Sequence, residues 1–269
     1  MTRDADTALE SAVVGYRQLV QHSMSAEAFA AFQLAFLRPF AVPHMADLPL
    51  GAGQITADAE LRAYRTGLQM YEIIAGGFDS QRARTVLSHI NRAHAVHHIP
   101  SDDFDYVLDA FVVVPLRHME RWGWRRPTLV EQHATVEFYR ALGRRLTIRD
   151  LPKTYREIER RFDAYEAANV RRSDSTAALG RLTLKVLQRR LPQVVRQHAP
   201  LLFSTQLGDD RVADALGMPP ASPTLQTLLR PALRAHGAIT AVRHRRRPFF
   251  TPGQPARPFP QGYELHDLL

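Results

Sequence analysis

The sequence predicts an all-α protein, a single helical domain followed by a Pro-rich tail. Three observations predict it. Apolar residues recur at spacings of three and four along most of the 269 residues. No run alternates in the way a half-buried strand does. Helix-start signals recur as well: Thr128-x-x-Glu131 and Thr154-x-x-Glu157 have the capping-box form, in which a hydroxyl and a carboxylate satisfy the free amides of a first turn. Ser101 followed by Asp102 and Asp103 gives a third start, with acids where the helix dipole favours them. In chain order the spacing predicts helices over 7–21, 26–37, 57–75, 80–97, 102–121, 129–146, 155–170, 174–190, 192–202, 209–216 and 222–243. The stretch from Ala26 to Val42 is the most apolar, but Glu27, Gln33, Arg38 and Pro39 interrupt it, so it reads as a buried core helix and not a membrane span. Pro115 falls inside 102–121 and predicts a kink there. The helical domain is expected over 1–247. The five prolines of 248–269 predict an extended tail that wraps the surface or is mobile.

Composition narrows the chemistry. There are 35 Lys+Arg against 27 Asp+Glu, a formal net charge of +8, and no Cys. The absence of Cys excludes disulfides, cysteine-ligated zinc, iron–sulfur clusters and a thiol nucleophile. Only Lys153 and Lys185 are lysines, so the positive charge is guanidinium, which keeps its proton and offers neither a base nor a Schiff-base amine. The first 20 residues carry Arg3, Asp4, Asp6 and Glu10 and lack a continuous apolar stretch, so no secretory signal is expected. The expectation is a soluble, cytoplasmic protein.

The informative region is 57–98. Leu61, Tyr64, Leu68, Tyr71 and Ala75 mark one buried helix face, and Met70, Ile73 and Ile74 carry apolar character further round. Arg62, Arg65, Thr66 and Gln69 form a narrow polar stripe between them, because positions three and four apart share a face. Gly76-Gly77 ends the helix, and Asp79 or Ser80 caps the next. There Ala83, Leu87, Ile90, His94 and His97 share a stripe, which puts His94 on the apolar face. In an antiparallel hairpin turning at Gly77–Phe78, Arg62 and His94 are nearly level, roughly 24 Å from the turn at about 1.5 Å per residue. Spacing alone fits two readings: a solvated Arg stripe beside a hydrogen-bonded core histidine, or polar groups facing an imidazole ligand. The His89, His94, His97, His98 cluster does not read as a zinc or non-heme iron site. His89 and His94 are about 140° apart on a helix, and no acid shares the His94/His97/His98 face.

The string Ile90-Asn91-Arg92-Ala93-His94, then Ser101-Asp102-Asp103-Phe104-Asp105-Tyr106-Val107-Leu108, then Val114-Pro115-Leu116-Arg117 and Gly123-Trp124-Arg125 resembles the MpaB-type oxygenases. These are related to the latex-clearing proteins, or rubber oxygenases. Arg62-x-x-Arg65-Thr66 resembles the Arg-x-x-(Lys/Arg)-Thr element upstream of the histidine in the same family. The resemblance implies a globin-related helical core around a heme pocket holding heme b. His94 would be the proximal iron ligand, and Arg62, Arg65 and Thr66 would lie in the pocket on or near the side where dioxygen binds. It further implies a heme-dependent oxygenase acting on an apolar, unsaturated, isoprenoid-like small molecule, with oxidative cleavage of a C=C bond as the reaction. A neutral imidazole suits heme iron as an axial ligand, and a guanidinium can stabilise anionic character on bound oxygen. Rubber oxygenases place Lys where this chain has Arg65, and an acid upstream for which Asp47 or Glu60 can be offered. Val114 stands where relatives commonly carry Glu, and Ala93 is smaller than the usual apolar neighbour of the histidine. Arg117, shortly after Pro115, is placed to pair with a heme propionate or to lie exposed.

The run Arg243-His244-Arg245-Arg246-Arg247 is the densest positive charge. It suits a solvated helix end, a phosphate polyanion or an anionic membrane surface. The alternative function is therefore a non-catalytic helical binding protein using 243–247 for nucleic acid or anionic surfaces. No helix-turn-helix or basic–aromatic surface supports specific nucleic-acid recognition, whereas peripheral membrane contact stays open.

Overall fold

The computed structural model describes residues 2–51, 58–95, 99–188 and 192–269. Its described residues form helices α1 (Thr2–Gln18), α2 (Ser25–Leu37), α3 (Pro43–Gly51), α4 (Asp58–Gly76), α5 (Gln81–Ala95), α6 (Ser101–Trp122), α7 (Leu129–Arg145), α8 (Tyr155–Asn169), α9 (Asp174–Gln188), α10 (Gln193–Arg196), α11 (Ala199–Leu207), α12 (Asp210–Ala215) and α13 (Pro223–Arg243). No strand occurs among them. Both capping boxes form, with Thr128 and Thr154 accepting from the amides of Glu131 and Glu157.

Two helices occupy the centre. α2 is rich in alanine, and Ala28, Ala31 and Ala35 are buried, which lets its backbone lie close along α6. α6 answers with buried Ala110, Val112, Val113, Val114 and Leu116, apolar round much of its circumference, as a helix covered on several sides must be. It runs unbroken through Pro115. α1 packs on α7, where Tyr16 sits between Phe138 and Tyr139 and donates to the Tyr139 hydroxyl at 2.9 Å. α8 lies on α6 and is stitched to it by arginine–carboxylate pairs. Arg161 binds Asp109 and Asp105, and Arg117 binds Glu159 and Asp163. The buried Arg38, just beyond α2, grips Glu166 at 2.6 and 2.7 Å, and Tyr106 donates to the same carboxylate.

Three departures from the sequence reading have local causes. The helix expected over 7–21 ends at Gln18, and Leu19–Ser23 continues as a wider π turn. α3 was not among the expected helices. The segment expected over 192–202 divides into α10 and α11, with Pro200 in the first turn of the second. The tail takes the wrapping alternative. Phe250 is buried, stacks on Tyr71 at 5.1 Å between centroids, and donates its amide to the Gln21 side chain. Phe249 donates to the Gln21 carbonyl, so the π turn anchors the start of the tail.

His118 on α6 is buried and its Nδ1 has no partner. Burial, helped by the nearby Arg121 guanidinium, pushes its pKa down from 6.5 to about 4. The unfolded chain therefore binds a proton between these values that the folded chain refuses. The His118 contribution is intact above the unfolded value and is lost as pH falls through that window, by up to about 3 kcal/mol. Denaturant unfolding between neutral pH and pH 4 should show a steeper acid loss for the native protein than for His118→Leu. Parallel curves would contradict this.

Candidate functional site

The α4–α5 hairpin closes as its sequence dictates. Gly77 takes a positive φ of 70° and its amide bonds to the Ile73 carbonyl, ending α4. A Cβ on Gly76 would come within 2.4 Å of the Ser80 hydroxyl. That hydroxyl accepts from the Ala83 amide and so caps α5, which settles the choice between Asp79 and Ser80.

From Arg65 onward the polar stripe of α4 is not a solvated face. Arg65 and Thr66 are half-buried, and Gln69 is buried. The stripe extends one turn further than the sequence reading took it, to Glu72, which has no exposed surface. Arg82 of α5 binds the Glu72 carboxylate through Nε at 2.7 Å and Nη2 at 2.8 Å, and the Tyr263 hydroxyl donates to it at 2.5 Å. Burial, with the carboxylate beside it, raises the Tyr263 pKa, so this phenol stays protonated and donates. Gln69 donates to the Leu268 carbonyl at 2.6 Å. The inner half of the stripe is thus covered by the tail, from which Tyr263 and Leu268 are buried.

The outer half carries the residues singled out from the sequence. Nε of Arg65 is buried without a hydrogen-bond partner, a costly arrangement for a guanidinium unless something pairs with it. The backbone of Arg62 lies in α4, while its side chain falls outside the described residues. His94 is half-buried on α5, and its ring meets the edge of Phe104 of α6 at 4.9 Å between centroids. His97 and His98 also fall outside the described residues. Among the described residues, which do not include His97 and His98, no group of three metal-ligating side chains forms. An imidazole packed on an aromatic edge and a half-buried guanidinium on the adjoining helix are residue types that fit a group with a metal centre and negative charge.

Other expected residues are not brought here. Arg117 lies 13 positions beyond Phe104, about 20 Å along α6, with its guanidinium taken up by Glu159 and Asp163. Asp47 accepts from Ser175 of α9, and Val114 belongs to the core. A groove of about 590 Å³ runs along another side of α5, lined by Phe78, Leu87, Asn91, Ala95 and Arg145; His94 does not line it. Glu72 and Tyr263 were missed by the sequence reading. Glu72 follows Gln69 by three and Arg65 by seven, so continuing the stripe would have reached it, but nothing local pairs it with a residue 191 positions away.

Comparison with known proteins bears on this arrangement. A family model described as "ER-bound oxygenase mpaB/B'/Rubber oxygenase, catalytic domain" matches residues 21–243. Among solved structures, one titled "Structure of Latex Clearing Protein LCP in the closed state" is similar, with a TM-score of 0.51 and 14% identity. The likeness covers 98% of this chain and 72% of that one. It establishes the shared all-α fold. No curated protein matches the chain.

The closure of the tail on Glu72 has a measurable consequence. Tyr263→Phe removes one hydrogen bond to a buried charge, a loss of about 2 kcal/mol, and should lower the melting temperature by several degrees. Amide exchange over 263–268 should accelerate more than in α6. An unchanged melting temperature with unchanged exchange would show that the tail does not depend on this contact.

Proposed function

The chain belongs to the MpaB/rubber-oxygenase catalytic-domain family, and from that premise we propose that it is a heme b-dependent oxygenase using dioxygen on an apolar, unsaturated, isoprenoid-like small molecule. The proposed reaction is oxidative cleavage of a C=C bond. The observation that carries the reading is the family match over residues 21–243, and the half-buried Arg65 and Thr66 of α4, the helix packed against the one that bears His94, are in keeping with it. Heme b bound there would supply an iron centre able to activate dioxygen.

In this reading His94, whose ring packs against the edge of Phe104, would hold the heme iron. Arg62, Arg65 and Thr66 of α4 would line the same pocket. Arg65 would supply a permanent positive charge able to stabilise anionic character there without giving up a proton. Thr66 supplies a hydroxyl able to donate or accept beside it. A separate proton donor would be needed. The apolar residues of α4 and α6 would suit an alkene. No propionate role falls to Arg117, whose donors already serve α8.

Two variants test the assignment. His94→Ala should lose most of its heme after hemin reconstitution while keeping its helical circular dichroism. Arg65→Ala should keep its heme and lose about 10²–10³-fold in oxygen-dependent turnover, the scale for removing one charge-stabilising donor. Normal heme content in His94→Ala would refute the ligand assignment.

A further inference from the structure

The outer side of α13 is apolar where a surface helix should be polar. Leu228, Pro231, Ala232, Ala235, Ile239 and Val242 are all exposed. Their spacing of three, four and seven places them within an arc of about 100°. The three large side chains are 68%, 61% and 75% exposed at Leu228, Ile239 and Val242. The opposite side of the helix is the one used for packing. Gly237 and Thr240 are buried there, and a Cβ on Gly237 would strike the Glu27 carboxylate of α2 at 2.1 Å. The apolar stripe is therefore a second face, about 20 Å long at 1.5 Å per residue, and it does not belong to the core.

Charge identifies what fits it. From residue 215 to residue 263 the chain has no Asp or Glu and seven arginines. Arg234 lies on one flank of the stripe and Arg243 on the other, and Arg245, Arg246 and Arg247 follow the helix end. All five are exposed, and none has an ion-pair partner among the described residues. A second copy of the chain would set arginine against arginine across the stripe. Nucleic acid would use the arginines but leave the aliphatic side chains in water. An anionic lipid surface takes both, with aliphatic groups below the headgroups and guanidinium groups among the phosphates.

We propose that the outer face of α13, with the arginines of 234–247, docks this protein on an anionic membrane surface. No helix among the described residues is long and apolar enough to cross a membrane, so the attachment is peripheral and reversible. The inference rests on the stripe and its charge and does not require heme in the α4–α5 site.

The test is co-sedimentation of the full chain with phosphatidylcholine vesicles, with and without phosphatidylglycerol. Binding should be at least about tenfold stronger with the anionic lipid and weaken with added salt. Ile239→Glu and Val242→Glu, both at solvent, should keep the native melting temperature and each lose about tenfold in binding. The charge reversals Arg245→Glu and Arg246→Glu together should lose at least as much. Absence of vesicle binding would overturn the proposal, as would binding indifferent to Ile239→Glu and Val242→Glu. A dimer in solution that Ile239→Glu dissociates would assign the face to a second copy. DNA or RNA binding in place of vesicle binding would assign it to nucleic acid.

Discussion

Glu72 is a carboxylate with no exposed surface, and much of the arrangement around the candidate site follows from where it sits. An ionised carboxylate away from water costs several kcal/mol unless donors replace its hydration. Here the donors come from two places. Arg82 supplies a two-point contact across the α4–α5 turn, and Tyr263 supplies a third bond from the far end of the chain. The first fixes the hairpin, and with it the relation between the α4 stripe and the His94 face. The second draws the tail across α4, where Leu268 then meets Gln69. Without the tail, Glu72 and Gln69 would need other partners, and the inner half of the stripe would open.

That closure separates the stripe into two parts with different roles. Gln69 and Glu72 are satisfied within the protein and act structurally. Arg65 is half-buried and leaves a buried nitrogen unmatched. The chain belongs to a family of oxygenases, and in the proposed function Arg65, standing where rubber oxygenases have lysine, would contribute by electrostatics alone, because guanidinium does not trade protons near neutral pH.

The helical class, both capping boxes, the α4–α5 hairpin and the apolar placement of His94 were legible because each depends on local spacing. What was not legible depends on contacts distant in sequence or on small changes of helical geometry. The π turn at Leu19–Ser23 differs from the preceding helix by one residue per hydrogen-bonded ring and carries no spacing signature. α3 was obscured by prolines at both ends, although Pro43 begins a helix well. The tail read as extended from its prolines, yet Phe250, Tyr263 and Leu268 are held by partners on α4 and the π turn. The polar stripe illustrates both sides. Its residues were evident from periodicity, whereas the choice between a solvated and a covered face depended on a segment nearly 200 positions away. The outer face of α13 is a further case, since a periodic apolar stripe reads as core until the structure shows which side is packed.

The most direct test of the central claim, that the α4–α5 hairpin holds heme, is the absorption spectrum of the purified native protein before and after dithionite, with a pyridine hemochrome assay after hemin titration. The account requires a Soret band that shifts on reduction and saturates at a single b-type heme per chain. A colourless protein that leaves added hemin with the spectrum of the free compound would contradict it.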